Sequence, residues 1–202
     1  MRQSPLKLPV LAAMGLLALS ACVNVLPEAP RPEAVFRLAD AERTIGAPAT
    51  LVIREPEAAR LFSGRQIVAE GENEGLRVVR GIAWADRATR LFQVSLTDSF
   101  DESGAGYAVD DAAGISGDYE LFWRIVDFSL QQDEGVCRLR LTLMDGASRT
   151  PIAQGYASGR VAAAGTGPLA RAQALSRAGR DCVSEAAKFV AGEMETDLAA
   201  GD

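Results

Sequence analysis

Residues 119 to 161 constrain the fold more than any other part of this chain. Val136 to Met144 sets Cys137, Leu139, Leu141 and Leu143 on one side and Arg138, Arg140 and Thr142 on the other. That period of two is the pattern of a half-buried strand. Tyr119 to Leu130, YELFWRIVDFSL, is apolar on both sides: Tyr119, Leu121, Trp123 and Ile125 point one way, Phe122, Val126, Phe128 and Leu130 the other. Such a segment is a central strand, or one that bends where it leaves the core. Asp145-Gly146 starts a turn, and Ile152 to Val161 returns as a weaker strand rich in Ala and Gly. Three segments in this order predict an antiparallel meander.

The flanking segments supply the covering layer. Phe36-Arg37-Leu38 and Leu51 to Arg54 read as short strands, and Arg65 to Ala69 and Leu76 to Arg80 flank EGENEG as a hairpin. From Trp84 to Ser103 the period changes: Trp84, Ala88, Leu91, Phe92, Ser95, Leu96 and Phe100 recur at helical spacing, with Gly104 and Gly106 expected to end the helix. Tyr107 to Val109 is a further short strand. From Pro168 to about Leu198 an alanine-rich helix carries a stripe of Leu175, Ala178, Cys182, Ala186, Phe189 and Val190, with a kink conceivable at Gly179 or Gly192. The fold class expected is α+β: one domain over 36–202, a mostly antiparallel sheet with two long helices packed on one face.

The N-terminus gives an address. Arg2 and Lys7 precede an uncharged apolar stretch from Leu8 to Leu19, too short to span a bilayer and of signal-peptide length. It ends in Leu19-Ser20-Ala21-Cys22, which resembles the lipobox of bacterial lipoproteins. The resemblance implies a signal peptide over 1–21 and acylation of Cys22, with palmitate among the acyl groups; two or three chains give lasting attachment where one does not. Val23, which is not Asp, favours the outer membrane by the enterobacterial sorting pattern. The mature domain then faces the periplasm. Residues 22–35 continue as a tether in which Pro27, Pro30 and Pro32 oppose regular pairing. Loss of Arg2 and Lys7 takes the net charge from −6 to −8, so the acyl chains and not headgroup electrostatics must hold the membrane.

Composition excludes several chemistries. There is no histidine, which removes His-ligated zinc and His-relayed nucleophiles. The acidic balance argues against nucleic acid as a partner. AAAGTGPLAR lacks the Gly-Lys-Ser/Thr ending of a phosphate loop, and SGAGYA does not open a helix. No catalytic residue, cofactor or metal site is expected. Cys137 and Cys182 lie on the apolar sides of their elements and should meet at the helix–sheet interface. In an oxidising compartment they would pair as a disulfide, worth roughly 3–4.7 kcal/mol by chain entropy. The alternative is two separate buried thiols acting as small hydrophobes.

Several landmarks fall in one order. GIAWADRATRLFQVSL at 81–96 leads through Trp84-Ala85-Asp86 into an amphipathic helix, DYELFWRIVDF follows at 118–128, and a late helix carries VSEAA at 183–187. With the lipobox, this order resembles the ABC-type transport auxiliary lipoprotein family over roughly 36–198. The resemblance implies a non-catalytic accessory subunit of an MCE-type ABC system that moves lipid between inner and outer membranes. Its partners would be an MCE-domain protein, a permease and an ATPase, and self-association stays open. Trp84, Asp86, Tyr119 and Phe128 are family landmarks with structural roles expected, Asp86 as a helix cap. A second reading lets Trp84 and Trp123 line a groove for an acyl chain or partner. The rival functions are a stand-alone lipid-binding lipoprotein, which needs an apolar cavity between sheet and helices, and an envelope scaffold.

Overall fold

The computed structural model describes residues 32–41, 45–71, 73, 75–101 and 103–201. In chain order the elements are β1 (Ala34–Phe36), β2 (Ile45–Gly46), β3 (Leu51–Ile53), β4 (Glu57–Ala58), α1 (Arg60–Ser63), β5 (Gln66–Glu70), β6 (Leu76–Trp84), α2 (Ala88–Asp98), β7 (Phe100–Asp101), β8 (Ala108–Asp110), β9 (Tyr119–Gln131), β10 (Glu134–Asp145), β11 (Pro151–Ala162) and α3 (Pro168–Gly201).

The meander is present: β9 pairs antiparallel with β10, and β10 with β11. The sheet as a whole is nevertheless mixed, and most of its pairings are parallel, which corrects the mostly antiparallel expectation. The reason lies in the free edge of β9. Three short strands line up along it in succession: β3 against Tyr119–Leu121, β4 against Arg124 and Ile125, and β5 against Ser129 and Leu130. All run in its direction, as do the β1–β6, β3–β8 and β2–β7 pairs. Only the β5–β6 hairpin adds a third antiparallel contact.

A β-bulge settles how β9 can be apolar on both sides. Leu139 pairs with Ile125, but Arg138 pairs with Asp127, so Val126 is the extra residue. The alternation slips by one at that point. Tyr119, Leu121, Trp123 and Ile125 face inward before it, and Phe128 and Leu130 face inward after it, all of them buried.

Two helices cover the inner face. In α2 the buried stripe is Ala88, Thr89, Phe92, Gln93 and Leu96. Gln93 ties the helix to the sheet, its amide donating to the Ile53 carbonyl at 2.9 Å and to Asp111 at 2.8 Å. The helix is shorter than its periodicity suggests. Trp84 closes β6, its N–H donating to the Arg65 carbonyl, and the helix begins four residues later. Asp86 therefore does not cap it; the cap position is Arg87, whose N–H receives the Asp86 carboxylate at 2.7 Å. Nor do Gly104 and Gly106 end the helix, which stops at Ser99. They let two loops touch: a Cβ on Gly104 would lie 2.0 Å from the Ala47 oxygen, and one on Gly106 2.1 Å from the Ala49 carbonyl carbon.

Helix α3 opens on Pro168, whose missing N–H is costless in a first turn. It runs unbroken for 34 residues through Gly179 and Gly192. It lies close on β10 and β11 because those strands present glycine at the contact. A Cβ on Gly159 would come within 2.1 Å of the Ala178 carbonyl oxygen, and one on Gly135 within 2.4 Å of Leu175 Cα. Glycine in a strand interior costs entropy and here admits a helix backbone. No helix among the described residues is long and apolar enough to cross a membrane.

Candidate functional site

On the inner face the aromatic residues form one cluster. Trp84 stacks on Phe128 with ring centroids 5.0 Å apart, and Phe92 meets Phe128 edge-on at 4.8 Å and Trp123 at 6.4 Å. Trp84 is 1% exposed and Trp123 5%. The two tryptophans are thus joined through Phe92 and Phe128 inside the core. Only Trp123 reaches a surface cleft, with its indole N–H donating to the Arg54 carbonyl at 2.6 Å.

Cys137 and Cys182 meet where their periodicities place them. Both are fully buried, their thiols share a hydrogen bond, and Cys182 Sγ lies 3.4 Å from the Ala157 carbonyl oxygen. They stand as free thiols in the structure. Burial first, and the neighbouring thiol second, push the Cys137 pKa well above the usual thiol range. Such a thiol is a poor nucleophile. Cys22 lies outside the described residues. Among the described residues no three His, Cys, Asp or Glu side chains converge as a metal would require.

The outer face of the sheet has a different chemistry. Phe122 on β9 points outward and is clasped by two guanidiniums, Arg54 at 4.5 Å and Arg149 at 5.6 Å from its ring centroid. Both arginines are also paired with Glu120, at 3.0 Å and 2.5 Å. Beside this clasp lies a cleft of about 380 Å³, walled by Arg124, Arg140 and Thr142 on the sheet and by Glu55, Glu57 and Asp111 from the neighbouring segments. The outward placement of Arg140 and Thr142 is legible in the period-two pattern. That Arg124 stands opposite Arg140 is not, because this register depends on the bulge one turn of the pleat away.

These features define a class: an α+β domain with a closed, aromatic core, buried unreactive thiols and its polar groups on an uncovered sheet face. A family model described as the ABC-type transport auxiliary lipoprotein component matches residues 36–187. The chain belongs to that family. Its fold is similar to that of protein XCC0632 from Xanthomonas campestris, with a TM-score of 0.72 at 19% identity, covering 82% of this chain and 98% of that one. A second crystal structure, of an uncharacterized protein, has a TM-score of 0.63 at 12% identity and covers 79% of this chain and 99% of that one. The search of curated proteins finds no match. Family membership makes the chain a membrane-anchored envelope lipoprotein with an auxiliary role in ABC-type transport.

Proposed function

We propose that this lipoprotein is a non-catalytic accessory subunit of an MCE-type ABC lipid transport system, held at the outer membrane by acylated Cys22 and facing the periplasm. The observation that carries the reading is the family match over residues 36–187, joined to the lipobox Leu19-Ser20-Ala21-Cys22 at the start of the chain. The acyl anchor concentrates the domain at one membrane, and the Pro-rich tether lets it reach the periplasmic end of an MCE assembly. ATP is hydrolysed elsewhere, by the system's own ATPase beneath its permease. Hydrolase chemistry has no support in the groups described above: there is no histidine, and the core thiol is held protonated.

The stand-alone lipid carrier is the weaker reading for a physical reason. It needs room between sheet and helices, commonly ~300 Å³ or more. That interface is occupied: Leu139, Leu141, Leu175, Val183 and Val190 are fully buried, and at Gly159 the helix backbone touches the strand.

The test is crosslinking of the anchored protein in cells followed by identification of its partners, together with complementation. An MCE-domain protein should be recovered, and deletion should sensitise the outer membrane to detergent. A Cys22→Ser form should fail to restore the barrier. Full rescue by that form refutes the anchoring, and repeated recovery of cell-wall fragments without an MCE protein refutes the accessory role in favour of scaffolding.

A further inference from the structure

We propose that the cleft on the outer face of β9 and β10 binds a phosphate ester, its oxyanion held between Arg124 and Arg140 and an ammonium of the same molecule turned toward Glu57.

Register supplies the first argument. Arg124 and Arg140 are directly paired residues on antiparallel strands, so their side chains leave the same face of the sheet side by side. Like charges directly opposite one another destabilise a strand pair. The remaining arginines of this face are compensated: Arg54 and Arg149 by Glu120, Arg138 by Asp127, Arg160 by Glu134. Arg140 has only a 3.4 Å contact with the neutral Gln154 amide, and Arg124 has no hydrogen bond or ion pair among the described residues. Two uncompensated guanidiniums side by side, in a chain whose net charge is −6, are the arrangement an oxyanion would relieve.

The chemistry of the donors narrows the ligand. Each guanidinium is a planar fork that grips two oxygens, and two forks together present more donors than one carboxylate can accept. A tetrahedral phosphate uses both. The Thr142 hydroxyl lies on the same wall. The cleft, about 380 Å³, falls in the range of small-molecule sites and exceeds what a bare phosphate fills.

The opposite wall fixes the second charge. Of its three carboxylates, Glu55 is taken by Arg87 at 3.1 Å and by the Thr89 hydroxyl at 2.5 Å, and Asp111 by Gln93 at 2.8 Å. Glu57 has no ion pair or hydrogen bond among the described residues, and it stands next to Arg124 in the β4–β9 register. The cleft therefore offers two open cations on one side and one open anion on the other. A zwitterionic amino-phosphate satisfies both. The site lies on the face away from the helices, and its occupancy needs no transporter, so the proposal stands or falls apart from the accessory role.

The test is calorimetric titration of the full chain in maltoside micelles with four probes: phosphoethanolamine, glycerol 3-phosphate, inorganic phosphate and short-chain phosphatidylethanolamine. Phosphoethanolamine should bind saturably, and more tightly than glycerol 3-phosphate. Arg124→Gln and Arg140→Gln should each weaken it by about tenfold or more. Their melting temperatures should hold or rise, since each removes a like-charge neighbour. Glu57→Gln should keep phosphate binding and lose the preference for the amine. Tighter binding of the short-chain lipid than of phosphoethanolamine assigns a lipid headgroup as the source, and equal binding a free phosphate ester. No binding of any probe at about 10 mM, or wild-type binding by Arg140→Gln, overturns the site. Equal affinity for phosphoethanolamine and glycerol 3-phosphate overturns the role of Glu57.

Discussion

Replacement of Gly159 by alanine tests how the helix is held on the sheet. The new Cβ would sit 2.1 Å from the Ala178 carbonyl oxygen and 3.0 Å from the Ala178 carbonyl carbon and the Cys182 nitrogen. These are backbone atoms of a regular helix, so no rotamer change can relieve the contact. Helix α3 must recede by about 1 Å at this point to restore ordinary separation, and a gap of that size forfeits a quarter to a half of the dispersion energy of the atoms it separates. Those atoms include the fully buried Cys182, Val183 and Ala186. Overpacking of this kind costs about 1–3 kcal/mol. For a domain of this size each kcal/mol lowers the melting temperature by roughly 2–4 °C. Gly192→Ala is the internal control, because its Cβ meets nothing within 4 Å on the same helix. It should gain about 0.5–1 kcal/mol from helix propensity alone. Urea denaturation of the two variants measures both numbers. If Gly159→Ala loses less than about 0.5 kcal/mol, or both variants change alike, the close approach of strand and helix does not determine stability and the reasoning fails.

Three further outcomes can be measured. The Tyr119 hydroxyl, buried and donating to Asp197 at 2.9 Å, has its pKa pushed up to about 12, first by burial and then by that carboxylate. The folded chain keeps this proton where the unfolded chain, near 10, releases it, so the stabilisation is complete below pH 10 and lost as pH rises toward 12. Urea midpoints should fall over that window and fall less steeply in Tyr119→Phe; identical slopes would remove Tyr119 as the cause. Phe128→Ala takes away the ring that joins Trp84 to Phe92 and should cost about 3–5 kcal/mol, read from the same transition. Material folded in an oxidising compartment should carry the Cys137–Cys182 bond, stabilising the domain by about 4 kcal/mol on the chain-entropy estimate. Alkylation after denaturation without reductant, followed by intact mass, decides it: two labelled thiols mean no bond.

What was legible in the sequence followed local pattern. The strands from Tyr119 to Val161, the hairpin around residues 71–75 and the buried stripe of α3 all rest on periodicities that need no distant partner. The parallel pairings escaped because each joins β9 to a segment some 60 residues earlier, and nothing in Leu51, Glu57 or Val68 names that edge. Trp84 was misplaced for a related reason: as the last inward residue of a strand it falls in phase with the helix that follows. Gly104 and Gly106 look like helix terminators in sequence, yet their lack of a side chain serves contact with Ala47 and Ala49. The thiol pair was found because strand and helix each show a clear apolar side. The Arg124–Arg140 pair was not, since two exposed arginines sixteen positions apart carry no periodic signal until the register is known.

The additional residue in β9 works as a phase setting for everything downstream of it. Delete Val126 and the strand could still pair with β10, but Asp127 and Ser129 would turn toward the helices while Phe128 and Leu130 turned to water. The chain can therefore trade side chains along this strand far more freely than it can change their number, and a single-residue deletion here should do more harm than most substitutions.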